Sequence, residues 1–488
     1  MSEDTISTNE KALAINLDVS KYGTFAEIGA GQEVVRHFFQ AGATAGTVAK
    51  SISAYDMKFS DEIYGQAQRY VSQGRLIQML EHEYTLLRER LTETRGGDST
   101  FFAFANTVAA MAFHGKGECH GWMGIRFQLQ PMADPCDIII HVRMLDKFNL
   151  QQQDALGIFG VNLVYGAFHL HDDPGSFIRS LADNLGKERI EVDMIQFLGA
   201  GFEKVDNRLL SLQLVQEGLT NAVMFDSQGK AQQPAELLYK KSVLLERGTF
   251  QPVNKVNLDM LECAKKRFIE DSEVEAEDVM ILFELNLNSL GGQREIDLTD
   301  FLARVDALTS LGHFVLISDY LEYYRLSAYF RRYTQKQIGI VVGISNLADI
   351  FNEDYYEHLD GGILESFGRL FKESVKLFIY PMTLQSFENY SKLRNLKSFV
   401  RQESEDLEGQ SVITANTFHP QTHLQPLYNY LMDNGFLESI SGFDPDCLKI
   451  FSRNTVQKIQ QGDRTWEADV PVVVAELIRD RKLWGFSE

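Results

Sequence analysis

The segment Val279-Met-Ile-Leu-Phe-Glu-Leu-Asn-Leu287 is a short apolar run that includes β-branched residues, a pattern typical of a strand buried on both faces. Three similar runs follow it, at residues 314–318, 338–344 and 375–380, with helical patterns between them. Strands that alternate with helices indicate βαβ units and a parallel sheet. We therefore predict a doubly wound sheet, or part of a barrel, over residues 279–385.

Polar side chains stand at the carboxyl ends of these predicted strands; they are Glu284, Asn286, Ser318, Asp319, Ser345 and Asn346. Both doubly wound sheets and barrels bind their ligands at this edge. Asp319, beside Ser318, is suited to orient a hydroxyl group or to coordinate Mg²⁺, and Ser345 or Asn346 is suited to present a helix start to a phosphate. Helix capping is the competing interpretation for Ser345 and Asn346, since Ser and Asn are common N-caps.

A second candidate site lies in Lys21-Tyr-Gly-Thr-Phe-Ala-Glu-Ile-Gly-Ala-Gly-Gln32, which precedes an amphipathic run over residues 33–40. The pattern predicts a strand, a glycine-rich turn and a helix. Backbone N–H groups at such a helix start are unpaired and lie at the positive end of the helix dipole, so they can hold a phosphate. We expect a phosphorylated small molecule as the ligand here, with Gly23, Gly29, Gly31 and Gln32 as its binding residues.

These residues resemble the opening motif G-x-F-x-x-x-H-x-G-H of the nucleotidyltransferase family that includes the nicotinate- and nicotinamide-nucleotide adenylyltransferases. Gly23, Phe25 and Gly31 match this motif, whereas Gly29 and Gln32 stand where the two histidines belong. The whole chain is similar to an uncharacterised bacterial family that carries the same adenylyltransferase label. The resemblance implies a nucleotide with Mg²⁺ as the cofactor. It implies binding rather than adenylyl transfer, because glycine and glutamine cannot supply a cationic imidazole.

A candidate metal centre follows from the H-x-H pair formed by His169 and His171, at the end of a predicted strand over residues 160–168. Alternate residues of a strand share one face, so the two imidazoles would point the same way. His141, on a neighbouring predicted strand, and the carboxylate of Asp172 or Asp173 would complete the ligand set. A metal-dependent hydrolase is therefore an alternative function.

The patterning divides the chain into four regions. They are a mainly helical N-terminal region with a Gly-rich turn (1–98), an α/β or α+β domain (99–262), the βαβ-type α/β domain (279–385) and a mainly helical C-terminal region (386–488). The acidic segment 267–278 sets the middle boundary, since it cannot bury its charges cheaply. Within the second region we predict strands at 122–129, 137–145, 160–168, 190–197 and 209–215. The fold class is α/β and multidomain, with mixed or parallel sheets, flanking helices and helical N- and C-terminal segments.

Composition and charge indicate the compartment. The chain has 47 basic and 68 acidic residues and a formal net charge of −21, which would repel nucleic acid and anionic membranes. It begins with an acidic polar segment without the pattern of an export signal, and its apolar runs are shorter than the ~20 residues that span a bilayer. The cysteines, Cys119, Cys136, Cys263 and Cys447, have no C-x-x-C spacing. We expect a cytoplasmic protein with reduced thiols and no nucleic-acid or membrane partner.

The 33 Phe and 18 Tyr residues favour a homo-oligomer, because aromatic side chains often collect at subunit interfaces. They also favour a further alternative function, a non-catalytic assembly or scaffold protein. The sequence shows no complete catalytic constellation, so it leaves open whether the protein is an enzyme.

Overall fold

The structure is a computed structural model that describes residues 6–111, 118–271, 274–290, 296–394, 402–407 and 409–487. The chain forms two compact units, residues 1–223 and 224–488. Both contain a sheet with helices, so the multidomain α/β class is confirmed. No helix among the described residues is both long and apolar enough to cross a membrane.

The first unit contains α1–α7 and β1–β6. The helices are Thr8–Leu17, Val34–Ala41, Met57–Tyr64, Gln73–Arg95, Asn149–His169, Pro174–Ser180 and Asn207–Gln216. The strands are Lys21–Gly29, Val48–Ala54, Thr100–Ala109, His120–Phe127, Cys136–Met144 and Ile190–Leu198.

The described strands of the first unit form one sheet in the order β2-β1-β3-β4-β5-β6. β1 pairs in parallel with β2 and β3, and the pairs from β3 to β6 are antiparallel. This mixed sheet joins residues from the predicted regions 1–98 and 99–262, so a domain boundary at residue 98 differs from the observed division. The predicted strand, turn and helix over residues 21–40 are present as β1 and α2.

Two predicted strands of the first unit are helices. Residues 160–168 belong to α5, and residues 209–215 belong to α7. Helix α5 is buried over most of its length, so its apolar residues form a continuous run that periodicity cannot distinguish from a buried strand. In α7 the buried residues include Leu210 and Leu214, which are four positions apart, the helical spacing.

The second unit contains β7–β17 and α8–α18. The strands are Ala222–Phe225, Ala231–Gln232, Ser242–Arg247, Val279–Asn286, Phe314–Ser318, Ile338–Gly343, Val375–Tyr380, Met382–Thr383, Glu405–Leu407, Gln410–Ile413 and Leu437–Ser439. The helices are Pro234–Leu237, Lys255–Ile269, Leu287–Leu290, Leu298–Ser310, Tyr323–Arg331, Ile344–Ile350, Gly362–Leu370, Leu384–Arg394, Gln425–Asp433, Ser452–Gln461 and Val472–Arg481. The division between the units falls within β7.

The main sheet of the second unit has the strand order β17-β13-β12-β9-β10-β11-β7-β8 among the described residues. Every pair from β17 to β11 is parallel. If β9 is counted as the first parallel strand, the order of the six is 3-2-1-4-5-6, the doubly wound arrangement. The direction of winding reverses between β9 and β12.

Two predicted boundaries in the second unit, the one between residues 262 and 279 and the one after residue 385, differ from this arrangement. Strand β9 and the first part of helix α9 lie in the predicted region 99–262, yet β9 is a central strand of the sheet. Strand β17 lies in the predicted C-terminal region and pairs with β13. The acidic segment 267–278 joins α9 to β10, so it is part of a crossover connection within one unit and does not separate two domains. Its residues 272 and 273 lie outside the described part of the chain.

Gly23 provides a test of how tightly the first sheet is packed. A Cβ atom at this position would lie 2.4 Å from the ring of Phe102, which is fully buried. We expect Gly23→Ala to lower the free energy of unfolding by about 1–3 kcal/mol, because the ring has no free space to move into. Chemical denaturation measures the difference. The control is Gly97→Ala, where a Cβ meets nothing within 4 Å and the effect should be near zero. Equal stabilities of the two variants would contradict this packing.

Candidate functional site

The second unit contains a cavity of about 580 Å³ at the carboxyl edge of its parallel strands. This volume is within the usual range for small-molecule sites. The wall includes the ends of β9, β10, β12 and β13, represented by Arg247, Asn286, Gly343 and Tyr380. The cavity therefore lies where the winding of the sheet reverses, which is the position at which open α/β sheets bind ligands.

Beneath this cavity, the ends of β9, β10 and β11 are joined by a buried ion pair. The guanidinium of Arg247 donates from Nε and Nη2 to the two carboxylate oxygens of Glu284, both at 2.8 Å. It also donates to the backbone oxygens of Tyr320 and Leu321, each at 2.8 Å. The hydroxyl of Ser318 donates to Glu284 Oε1 at 2.5 Å. The side chain of Glu284 is fully buried, so this network neutralises a charge that water cannot reach.

The structure brings together part of the predicted strand-end residues. Asn346 lines the cavity, as do Asn286 and Ser345, which the sequence placed at the same edge. Glu284 and Ser318 are bonded to each other below the cavity wall. Asp319 is not part of the described wall and lies near Arg325.

The sequence interpretation missed the residue that most distinguishes this cavity. Glu246, next to the last residue of β9, lines the cavity and is 1% exposed. Its Oε1 atom accepts a hydrogen bond from Asn257 Nδ2 at 2.8 Å, whereas Oε2 is buried without a hydrogen-bond partner. Burial raises the pKa of Glu246 to about 8, although the hydrogen bond from Asn257 opposes this shift. Its signal in the sequence is a Glu in the run Ser242–Arg247, which falls in the predicted region 99–262 and for which no strand is predicted.

At the glycine-rich turn of the first unit, the N–H groups expected to bind an anion are already bonded to a side chain of the protein. The carboxylate of Glu27 accepts hydrogen bonds from the backbone N–H groups of Val34 at 3.0 Å and Val35 at 3.4 Å, at the start of α2. A residue of the chain itself therefore occupies the positive end of this helix. Burial raises the pKa of Glu27 to about 7, against the effect of these two hydrogen bonds.

The predicted binding residues of this turn have structural roles there. Gly29 has a φ of +76°, which favours glycine. At Gly31 a Cβ would lie 2.2 Å from Asn106 Oδ1, so the close approach of these two residues requires glycine. Gly23 lies within β1 against Phe102, and Gln32 is half-buried in the turn. A phosphate at this helix start would have to displace Glu27.

The predicted metal ligands lie on different elements, and the H-x-H pair is not on a strand. His169 is the last residue of α5, where its ring lies 4.5 Å from that of Tyr165. His171 follows the helix, with its ring 6.3 Å from that of Phe127. Within the described ranges, no group of three or more His, Cys, Asp or Glu side chains could hold a metal ion.

His141 belongs instead to a hydrogen-bonded row of three side chains, one each from β4, β5 and β6. Its Nδ1 lies 2.5 Å from Asp193 Oδ1, and its Nε2 lies 3.0 Å from Nδ1 of His120. The ring of Trp122 packs on it with the centroids 4.8 Å apart. His141 and Asp193 are both buried, so this row of side chains links three neighbouring strands of the first sheet.

Comparison with known proteins gives only structural neighbours. No family model matches the chain, and no curated protein matches it. Among solved structures, it is similar to a competence/damage-inducible protein from Agrobacterium tumefaciens, at 14% identity and a TM-score of 0.23, over 33% of this chain and 93% of that one. A competence-damaged protein (CinA) superfamily member from Klebsiella pneumoniae gives 15% identity, a TM-score of 0.25 and coverages of 33% and 95%. Identities and TM-scores this low carry no conclusion about activity.

The ion pair between Arg247 and Glu284 should be critical to the second unit. We expect Arg247→Met to lower the free energy of unfolding by about 3–5 kcal/mol, because it leaves a buried carboxylate without its partner. The double variant Arg247→Met with Glu284→Gln removes both charges and should lose clearly less. Urea denaturation of the three proteins measures this. A double variant as unstable as the single one would show that the unpaired carboxylate is not the cause of the lost stability.

Glu27 should make the stability of the first unit depend on pH. The folded protein keeps the Glu27 proton up to about pH 7, whereas the unfolded chain loses it near pH 4.5. Between these values the unfolded state binds fewer protons, so stability falls as pH rises, by about 3 kcal/mol in total. Glu27→Gln should lack this decline. Denaturation at pH 5 and pH 7.5 gives the difference in free energy of unfolding between the native protein and this variant, and the change of that difference with pH isolates the contribution of Glu27 from that of other groups. The same difference at both pH values would contradict the raised pKa.

Proposed function

We propose that the second unit binds a nucleoside or a mononucleotide in the cavity at the carboxyl edge of β9, β10, β12 and β13. The observation that carries this proposal is the coincidence of the cavity with the point where a 3-2-1-4-5-6 sheet reverses its winding. Sheets of this order bind nucleotides at that point. Fold alone does not establish function, so the lining side chains must also suit the ligand.

The described cavity wall is rich in neutral hydrogen-bonding groups. Its amide and hydroxyl side chains are Asn254, Asn257, Asn286, Asn288, Asn346, Ser289, Ser345, Ser452, Thr249 and Tyr380. Amides and hydroxyls both donate and accept hydrogen bonds, as the edges of a base and the hydroxyl groups of a ribose require. The wall therefore favours a polar ligand with several donors and acceptors over an apolar one.

The cationic groups of the described wall suit a ligand with no more than one phosphate group. Arg247 directs four hydrogen bonds to Glu284, Tyr320 and Leu321, so its charge is already balanced. Arg394 is the other arginine of the described wall, and it is exposed. One exposed guanidinium suits a single phosphate group at the mouth of the cavity.

Two differences from dinucleotide-binding sheets support a smaller ligand. The segment after β9 reads Gly248-Thr-Phe-Gln-Pro-Val-Asn254 and lacks the G-x-G-x-x-G pattern that cradles a pyrophosphate. The acidic residue on the second strand, Glu284, is bonded to Arg247 and Ser318 and cannot also bind a ribose. A nucleoside or mononucleotide needs neither feature.

A thermal-shift experiment with a blocking variant tests the proposal. Adenosine, AMP and NAD are the probes, and inorganic phosphate is the control ligand. A ligand that binds only the folded state stabilises it by about 2.7 kcal/mol at ~100 times its Kd, so adenosine or AMP should raise the Tm measurably. Gly343→Leu should abolish the shift, because a Cβ there meets nothing nearer than 3.9 Å and a larger side chain would enter the cavity.

The matched control is Gly368→Leu, at an exposed position of α14 that lies outside the cavity wall and has open space for a side chain. It should respond to adenosine and AMP as the native protein does. The proposal fails if neither adenosine nor AMP raises the Tm of the native protein, or if Gly343→Leu keeps the full shift.

A further inference from the structure

One side chain of the cavity has an unmet hydrogen-bonding requirement. The Oε2 atom of Glu246 is buried, faces no partner among the described atoms, and belongs to a residue that lines the cavity. Leaving a buried polar atom unpaired costs about 1–3 kcal/mol, so folded proteins seldom do so without a reason. A ligand in the cavity would supply the missing partner.

The position of Glu246 is fixed from both sides. Its neighbour in sequence, Arg247, bonds to Glu284 and packs over the ring of Tyr323, with the guanidinium carbon 4.4 Å from the ring centroid. On the side of α9, Asn257 donates to Glu246 Oε1, and the oxygen of the same amide accepts from the backbone N–H of Asn254 at 3.1 Å. This capping box holds the Asn257 amide in one orientation. The carboxyl group of Glu246 is therefore preorganised.

The charged and titratable groups around the cavity do not compensate a charge on Glu246. On β9 and β10, Arg247 and Glu284 neutralise each other. On β13 and α9, Tyr380 donates its hydroxyl to Asp259 at 2.5 Å. Arg394 on α15 is exposed. No charged group contributes to the raised pKa of Glu246, which is caused by burial and opposed by the hydrogen bond from Asn257.

The neutral form of Glu246 has a defined donor. Oε1 already accepts a hydrogen bond from Asn257, so the proton of the neutral acid is on Oε2, the atom without a partner. A protonated carboxyl group donates one hydrogen bond, whereas a carboxylate can only accept. Glu246 therefore offers a buried O–H donor next to the cavity that this residue lines.

We infer that Glu246, as a neutral acid, donates a hydrogen bond from Oε2 to an acceptor atom of the nucleoside that occupies the cavity. The acceptor is a ring nitrogen, a carbonyl oxygen or a ribose oxygen. Glu246 is thus a specificity-determining residue that favours ligands with an acceptor at this position. This inference rests on the proposed function, because it takes the nucleoside site as its setting.

Isothermal titration calorimetry with adenosine at pH 7 and pH 9 tests the inference, since adenosine itself does not ionise in this interval. With a pKa of about 8 for Glu246, the neutral fraction falls about tenfold between the two pH values, so the Kd of the native protein should rise about tenfold. Glu246→Gln places an N–H donor in the same position and does not titrate. Its Kd should be close to the native value at pH 7 and should not change at pH 9.

A matched control and an infrared measurement complete the test. Glu357→Gln, at an exposed glutamate of the same unit, should keep the native tenfold change. The infrared difference between the native protein and Glu246→Gln, in which the contribution of Glu27 cancels, should show the absorption of a protonated carboxyl group at pH 7 and not at pH 9. Adenosine binding with the same Kd at both pH values in the native protein, or an unchanged pH response in Glu246→Gln, would overturn the inference and leave the proposed function standing. Absence of adenosine binding at both pH values would overturn the inference, and absence of AMP binding as well would overturn the proposed function.

Discussion

The bidentate ion pair between Arg247 and Glu284 is the constraint on which the second unit depends. It joins the ends of β9 and β10 where both are buried, and Ser318 extends it to β11. A buried charge must be paired, so the positions of these three strand ends are coupled. The same pair also determines the character of the cavity above it. Because it removes Glu284 and most of Arg247 from the surface, the remaining wall is nearly neutral, and Glu246 is its buried acidic residue.

The first unit also contains a buried carboxylate, and there it is stabilised without a cation. The carboxylate of Glu27 lies against the start of α2, where backbone N–H groups and the helix dipole partly offset its burial. The two units thus contain buried glutamates in different settings. Glu27 has several hydrogen-bond donors and closes a helix start, whereas Glu246 has one donor and an unpaired oxygen beside a cavity. This difference is why the cavity of the second unit, and not the glycine-rich turn, is the better supported ligand site.

Much of the fold could be predicted from the sequence, because its strongest patterns are local. The apolar runs of β10 to β13 and the strand, turn and helix of residues 21–40 are all present. The errors arose where tertiary structure overrides local pattern. A buried helix such as α5 is apolar all round and resembles a strand, and the acidic segment 267–278 resembles a linker although it lies within a crossover connection.

The candidate site could be predicted only in part for the same reason. Polar residues at strand ends are visible in the sequence, so Asn286 and Asn346 were found. Glu246 was not found, because no strand was predicted over residues 242–247 and because no local pattern reveals which carboxylate will lack a partner. Likewise, the sequence could not show that Glu284 would be paired with Arg247, a contact between residues on separate strands.

The pairing of β9 with β12 has a consequence for how this unit forms during synthesis. Leu244 pairs with Gly339, so two central strands that are about a hundred residues apart must meet. Until β12 has been made, β9 is an edge strand with a row of unpaired backbone groups and an apolar sequence, which is a template for association with other chains. This edge of β9 stays unpaired for the time it takes to add α9 through α12, and the cavity cannot exist before that interval ends.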